Sequence, residues 1–290
     1  MSEPTGSAIH DLGYRRYDGA RVGPQGAFQA LYVQGLRAMF GIGRPLATKA
    51  VPILVMLVSM LPALALLTAS SASGGQVPVR YGQVIGPQLF LFVVFLAAQS
   101  PEVLSRDQQH GLLPLLFTRD VTRESYALAR FTAIFSAMFI VSMGPLLLLY
   151  VGEIGIAVDP AAAFRKMGTR IWPVLGQSTL SALAMTGVGA TLASLTPRRA
   201  YATAAIFGSF LLMAAIASGL DGLAGVAVRT AEFLDPIRAL RTMALLFFGE
   251  TTRGMELNAP PPLLAYIALS VGLGVAGLGL LVWRIRRIRA

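Results

Sequence analysis

Six long apolar stretches constrain this chain more than any other feature of its sequence. A helix needs roughly 17 to 25 apolar residues to cross the ~30 Å hydrocarbon layer of a bilayer. The stretches approach or reach that length, and 55% of the 290 residues are hydrophobic while only 13% are charged. They run over about Thr48 to Leu67, Val84 to Ala98, Phe131 to Val151, Ile171 to Leu195, Tyr201 to Leu220 and Pro262 to Trp283. We therefore predict an all-α integral membrane protein with six transmembrane helices, the second of which is short unless Gly86 and Pro87 belong to it.

Basic residues are distributed unevenly between the two sides that six spans would create. The N-terminal segment, the loop between spans 2 and 3, the loop at Arg198 and Arg199, and the C-terminus hold 16 of the 24 lysines and arginines, and the other loops hold 8. Loops rich in Lys and Arg tend to stay in the cytoplasm. We therefore expect a multi-pass protein with both termini cytoplasmic. The net charge of +10 then belongs to cytoplasmic flanks, and we expect no nucleic-acid partner.

The first part of the chain, residues 1–47, precedes the six-span domain, residues 48–290. No secretory signal pattern is present, so we expect a mature N-terminus. Residues 1–25, which include IHDLGYRRYDG, form either an ordered cytoplasmic arm or a solvated tail. From Gly26 to Ile42, one helical face carries apolar residues and the opposite face carries Gln34 and Arg37, which predicts an amphipathic helix in the membrane interface. The apolar face consists of Phe28, Leu31, Tyr32, Leu36, Met39 and Ile42.

Residues 99–130 form a charged interruption between the second and third spans. Ser105 followed by Gln108 fits a capping box, so we predict a short helix from Arg106 with Asp107 in its first turn. Pro114 lacks a backbone donor and should end or kink that helix near Leu113. Thr122 is placed to cap the following long helix.

The loop over residues 221–261 is too long for a simple turn and predicts two short helices, at 223–234 and 236–248. Asp235 is a candidate cap for the second, and Pro236 suits its first position. Arg238 and Arg241 would share one face. These helices either enter the outer leaflet or cover the exit of a pathway, or they form an ordinary amphipathic surface helix.

Several kinds of chemistry lack the residues that they need. The chain has no cysteine and only two histidines, His10 and His110, so we expect no metal site. Neither Lys49 nor Lys166 follows a glycine, so there is no phosphate-binding loop and we do not expect an enzyme. The apolar cores contain no Asp, Glu, Lys or Arg, which argues against a proton-driven carrier.

Four polar residues stand within or at the ends of the predicted spans. They either line a path through the membrane or bond neighbouring helices. Ser178 has no histidine to act as its base, so a protease is not expected. The four residues are Gln88, Gln99, Gln177 and Ser178.

The segment RDQQHGLLPLLFTRDVTRESYALAR, residues 106–130, resembles the stretch between spans 2 and 3 of ABC-2-type transporter permeases. Pro236 and Arg241 also resemble that family's outer-loop pattern, and the predicted order of helices matches over most of the chain. Asp120, Pro114 and Arg130 depart from the residues common in the family. The matching positions are Asp107, Gly111, Leu112, Leu115, Leu116, Arg123 and Arg130.

The resemblance implies the permease subunit of an ATP-driven exporter in the plasma membrane, which in bacteria is the cytoplasmic membrane. A coupling helix over about residues 105–118 would sit in a groove of a separate ATP-binding cassette subunit, which would hold the ATP and Mg²⁺. A second permease copy, identical or related, would complete the transporter among membrane lipids. Residues 221–261 would be the outer re-entrant segment. The alternative is a stand-alone channel or scaffold protein without ATP coupling. The coupling contacts would come from Asp107, Gln109, His110, Leu112 and Arg119.

Overall fold

The structure is a computed structural model that describes residues 23–118, 121–224, 231–251 and 260–288. Within these ranges the chain folds into helices and contains no strand. Two short 3₁₀ turns, Gly168–Arg170 and Glu232–Leu234, join helices. The α-helices are α1 Pro24–Met39, α2 Leu46–Ala72, α3 Tyr81–Val103, α4 Ser105–Gln109, α5 Leu112–Phe117, α6 Arg123–Gly155, α7 Pro160–Met167, α8 Ile171–Leu195, α9 Arg199–Ala224, α10 Pro236–Phe247 and α11 Leu263–Arg287.

The described part of the chain contains six segments long and apolar enough to cross a membrane, as predicted. The second is not short, because α3 begins at Tyr81 and includes Gly86 and Pro87. We therefore assign the chain to multi-pass helical membrane proteins. The six segments are Thr48–Ala72, Tyr81–Gln109, Arg123–Gly155, Pro160–Leu195, Arg199–Leu220 and Leu263–Arg287.

Helices α3, α6 and α8 form the centre of the bundle, and α2, α9 and α11 lie around it. The most apolar window of the α3 segment is 61% buried, whereas that of α9 is 17% buried. The outer helices carry exposed leucines such as Leu57 and Leu211. Such side chains need lipid or another protein against them, because water is a poor solvent for an apolar surface of this size.

Small residues allow α8 and α11 to approach each other closely. A Cβ atom added to Gly277 would lie 2.3 Å from the Cα atom of Gly187, and one added to Gly187 would lie 2.2 Å from the carbonyl oxygen of Leu273. Helices that pack inside a bilayer gain van der Waals contact in this way. The two helices therefore depend on glycine at both positions.

Helix α1 has the predicted amphipathic character. Leu31 and Met39 are buried, and Gln34 and Arg37 are exposed. The helix packs on α6, where a Cβ atom on Gly35 would lie 2.8 Å from the Cβ atom of Ala133. The predicted extension to Ile42 is wrong: the helix ends at Met39, and Ile42 is exposed in the following turn.

Residues 105–118 form two short helices, α4 and α5. The break lies at Gly111, whose φ of +62° is favourable for glycine alone, and not at Leu113 as predicted. Pro114 is tolerated because it falls in the first turn of α5, where an N–H has no partner within the helix. The capping box is also wrong, since Ser105 is the first residue of α4 and makes no cap hydrogen bond. Thr122 does cap α6, accepting from the Ser125 amide at 3.1 Å.

The segment over residues 221–261 contains the predicted helix that starts at Pro236. Asp235 caps it by accepting from the Ile237 and Arg238 amides at 3.0 and 3.3 Å. This helix, α10, packs on the first half of α3. Half of the helix predicted over 223–234, residues 225–230, lies outside the described ranges, and so do Arg119 and Asp120.

Candidate functional site

One end of the bundle carries a buried ion pair between Asp107 in α4 and Arg130 in α6. The Arg130 Nη2 atom donates to the Asp107 Oδ2 atom at 2.6 Å, and the Tyr126 hydroxyl donates to the same oxygen at 2.8 Å. Asp107 is 5% exposed and Arg130 is 3% exposed. Asp107 was expected to contact a partner subunit directly, but its carboxylate faces inward and holds α4 against α6.

Arg130 also reaches helix α1 with its other terminal nitrogen. The Nη1 atom donates to the Leu31 carbonyl at 3.1 Å and to the Gln34 side chain. A planar guanidinium can serve partners in two directions in this way, whereas a lysine ammonium is a point charge on one stem. Arg130 therefore joins α1, α4 and α6 at one point.

Helix α4 is attached separately to the end of α8. The Ser105 hydroxyl donates to the Ala193 carbonyl at 2.8 Å, and the Gln108 side-chain amide donates to the Ser194 carbonyl at 3.0 Å. These carbonyls belong to the last turn of α8, whose oxygens have no partners within the helix. Ser105 and Gln108, read in the sequence as a cap for α4, instead cap the end of another helix.

The outward side of the segment over residues 105–118 is open. Gln109 and His110 are exposed, Leu112 is 40% exposed and Leu115 is 66% exposed. Beside them lies a groove of about 730 Å³ between α1 and α5, with Asp107 and Arg130 among its lining residues. Its other lining residues are Ala27, Ala30, Leu31, Gln34, Leu112, Leu115, Leu116, Thr118 and Val121. The lining of this groove is mostly apolar, and exposed polar residues lie beside it.

A second charged cluster at this end is centred on Glu102 in the last turn of α3. Arg44 lies 2.5 Å from its carboxylate and Arg106 lies 3.3 Å away, and Arg199 also pairs with it. Sequence reasoning missed this cluster because the four residues are scattered along the chain. The available signal was a lone glutamate at the end of a predicted span.

The intramembrane polar residues bond neighbouring helices in two of the four positions. The Gln88 amide donates to the Ser59 carbonyl of α2 at 2.9 Å. The Gln177 amide donates to Ser181 at 3.0 Å and to the Leu240 carbonyl of α10 at 3.2 Å. These bonds favour the helix-bonding interpretation for Gln88 and Gln177.

Gln99 and Ser178 are buried as well, and their role stays open between the two interpretations. The Ser178 carbonyl accepts from the Ser142 hydroxyl at 3.2 Å. Its own hydroxyl has no hydrogen-bond partner among the described residues, and neither do the Gln88 and Gln177 side-chain oxygens.

The opposite end of the bundle is held by glutamates that contact helix ends and tyrosines. Glu153 at the end of α6 accepts from the Tyr81 hydroxyl at 2.7 Å and pairs with Arg170 at 3.2 Å. Glu232 accepts from the Tyr266 hydroxyl at 2.9 Å. Asp235 and Pro236 lie at the start of α10 at this end.

Arg241 of α10 lies against α3 at the same end. Its Nε atom would be 3.2 Å from a Cβ atom added to Gly86. Arg241, one of the two residues that resemble the family's outer-loop pattern, therefore lies against the first turns of α3.

Glu250 closes the start of α3 at this end. Its Oε1 atom accepts from the Gly82 amide at 3.1 Å, while its Oε2 atom is buried without a partner among the described residues. Burial raises the pKa of this carboxyl above its ordinary value, although the amides of α3 and the charge of Arg80 act in the other direction. Sequence reasoning missed Glu250 because its partners lie far away in the chain.

The residues of the described ranges contain no group of three or more His, Cys, Asp or Glu side chains that could hold a metal ion. His110 is exposed on the turn between α4 and α5.

No protein-family model matches the chain, and a comparison with curated proteins gives no match. The fold alone defines its class, a multi-pass helical membrane protein with six candidate spans.

Proposed function

We propose that the chain is the permease subunit of an ATP-driven ABC exporter, working with a second permease copy and two separate ATP-binding subunits. The segment over residues 105–118 is its coupling element. The proposal combines the resemblance of residues 106–130 to ABC-2-type permeases with the way that α4 is anchored. It places this end of the bundle and both termini in the cytoplasm.

The observation that carries the proposal is the double anchoring of α4. Its inner side is bonded to α8 through Ser105 and Gln108 and to α6 through Asp107. Its outer side and the following turn expose Gln109 and His110. A partner that moves the exposed side of α4 therefore moves two spans directly, α8 and α6. A coupling element must do this, because coupling requires that a change at one site shifts the conformational equilibrium at another.

Surfaces elsewhere agree with this function. The exposed apolar sides of α2 and α9 offer area for a second permease copy and for lipid. Helix α10 lies over the start of α3 at the opposite end. In the proposed transporter it covers the exit of the pathway, and ATP with Mg²⁺ is held by the partner subunit. The apolar character of the spans suits an amphipathic or apolar cargo.

The test is capture of an ATPase subunit by the tagged chain in its native membrane. Leu112→Asp with Leu115→Asp should abolish capture, because two charges would enter the apolar side of the groove. Phe164→Asp, which changes an exposed apolar residue of α7 at the other end, is the matched control and should capture normally.

Two results would contradict the proposal. One is the absence of any ATP-hydrolysing partner with the unmodified chain. The other is ATP-independent flux through the purified chain alone in liposomes, which would identify a stand-alone channel.

A further inference from the structure

Three arginine side chains from three separate segments converge on the single carboxylate of Glu102. Arg44 comes from the turn before α2, Arg106 from α4, and Arg199 from the first residue of α9. Glu102 is 8% exposed, whereas the side chains of Arg106 and Arg199 are 48% and 54% exposed. The carboxylate is buried beneath a surface of guanidinium groups.

The cluster holds more positive charge than its carboxylate can neutralise. One arginine would balance Glu102, as Arg130 balances Asp107 nearby. Three leave a surplus of two charges, and like charges gathered at one point repel one another. Each guanidinium has five N–H donors, and one nitrogen of each contacts Glu102. The remaining donors and the surplus charge suit an oxyanion with several acceptors, such as a phosphate group.

The height of the cluster in the membrane identifies the source of that phosphate. Helix α3 has 23 residues and is therefore about 35 Å long, so Glu102 in its last turn lies at the edge of a ~30 Å hydrocarbon layer. Arg44 precedes the span that starts at Thr48, and Arg199 is the first residue of its span.

Aromatic residues pack against basic residues at the ends of two other spans, α9 and α11. The Arg198 guanidinium lies 5.7 Å from the centre of the Tyr201 ring, and that of Arg287 lies 4.1 Å from the centre of the Trp283 ring. Tyrosine and tryptophan gather where lipid headgroups meet the hydrocarbon. The cluster is thus at headgroup level.

We propose that Arg44, Arg106 and Arg199 form a binding site for the phosphate group of an anionic phospholipid. The bound phosphate joins the turn before α2, helix α4 and the start of α9, and it lowers the repulsion between the arginines. The site does not depend on the proposed transport function, because it requires only that this end of the bundle meets a leaflet.

The experiment compares lipid binding by the full chain in nanodiscs of phosphatidylcholine with and without phosphatidylglycerol, read by native mass spectrometry and thermal unfolding. Phosphatidylglycerol should stay bound and raise the unfolding temperature. In Arg44→Gln with Arg199→Gln, its apparent affinity should fall about 30-fold, since each basic residue at the surface contributes about a factor of five. The control Arg165→Gln with Lys166→Gln removes two charges from α7 at the opposite end and should bind normally.

Two single variants distinguish a loss of lipid binding from a general loss of folding. Arg106→Gln removes the loosest of the contacts with Glu102, at 3.3 Å, and should weaken binding about fivefold. Glu102→Gln removes the anion that competes with the phosphate, so phosphatidylglycerol binding should be strengthened. A purely structural ion cluster would instead lose stability without any gain in lipid affinity.

The proposal is overturned if phosphatidylglycerol binds the double arginine variant as tightly as the unmodified chain. It is also overturned if inorganic phosphate or glycerol 3-phosphate in phosphatidylcholine nanodiscs stabilises the chain as well as phosphatidylglycerol does, because the ligand would then be a free anion.

Discussion

At the scale of single residues, the buried ion pair of Asp107 and Arg130 is the contact at the candidate site that we expect to contribute most to stability. A buried pair of this kind is costly to break, because removing one partner leaves the other charge without compensation. The neighbouring Tyr126 hydroxyl and Leu31 carbonyl complete the arrangement. We therefore expect the pair to act as a unit.

A double-mutant cycle tests that unit. Asp107→Leu or Arg130→Met alone should lower the free energy of unfolding by about 3–5 kcal/mol, whereas the double variant should recover much of the loss. The exposed pair of Glu124 and Arg286 is the control and should show a coupling of less than ~1 kcal/mol. Thermal unfolding in detergent measures both. Additive losses at Asp107 and Arg130 would show that the two side chains do not act together.

Glu250 gives a prediction about pH. Burial raises the pKa of the Glu250 carboxyl in the folded state above the ordinary value of 4.5. The protonated carboxyl therefore contributes its full stability below pH 4.5, and this contribution is lost as pH rises through the raised pKa of the folded state. We expect Glu250→Gln to remove this step and to match or exceed the unmodified stability at neutral pH. The measurement is the unfolding temperature from below pH 4.5 to neutral pH. The control Glu124→Gln should show the same loss of stability with rising pH as the unmodified chain. An unchanged pH profile in Glu250→Gln would contradict the assignment.

At the scale of helices, the contact between α8 and α11 depends on glycine. Gly277→Leu should destabilise the fold by at least about 1–3 kcal/mol, because its side chain would enter the backbone of α8. Gly279→Leu, two residues further on and with open space around it, is the matched control. Equal stability of the two variants, measured by thermal unfolding in detergent, would contradict this packing.

Hydrophobic patterning was sufficient for the long elements and for some of their ends. The six spans follow from apolar length, and the starts of α6 and α10 follow from Thr122 and Asp235, because these caps act on amides only a few residues away. The second span was underestimated because polar residues lie beyond both predicted ends, Gln83 before Val84 and Gln99 to Glu102 after Ala98, although α3 continues through them.

The site was harder to predict because its contacts join distant parts of the chain. Ser105 and Gln108 have the spacing of a local cap, and only the packing of α4 against the end of α8 shows that they cap α8. Likewise, the three arginines around Glu102 come from segments that meet only in the folded bundle. Gln109, His110 and Leu112 are exposed as a partner surface requires, and their role in coupling stays a prediction.

At the scale of the whole molecule, both ends of the bundle carry charged contacts. The end with α4 holds Asp107 and Glu102 with their arginines, while α10 and Glu250 close the other end, where Glu153 pairs with Arg170. In the proposed exporter, a conformational change of the ATPase subunit moves α4, and the bonds of α4 transmit this movement to α8 and α6. The cost of losing such a link is typically 0.5–2 kcal/mol of coupling free energy, or roughly two- to thirtyfold. Loss of the hydrogen bonds between α4 and α8 should therefore leave assembly of the exporter intact but make transport less efficient.

The most direct measurement is the number of cargo molecules transported per ATP hydrolysed by the reconstituted complex of permease and ATPase. Ser105→Ala with Gln108→Ala should leave assembly and ATP hydrolysis in place and lower this ratio by roughly two- to thirtyfold. Thr68→Ala with Ser209→Ala, which removes two hydroxyls that bond carbonyls of their own helices, α2 and α9, away from the coupling segment, is the control and should leave the ratio unchanged. An unchanged ratio in the Ser105 and Gln108 variant would contradict the claim that α4 couples the partner to the spans.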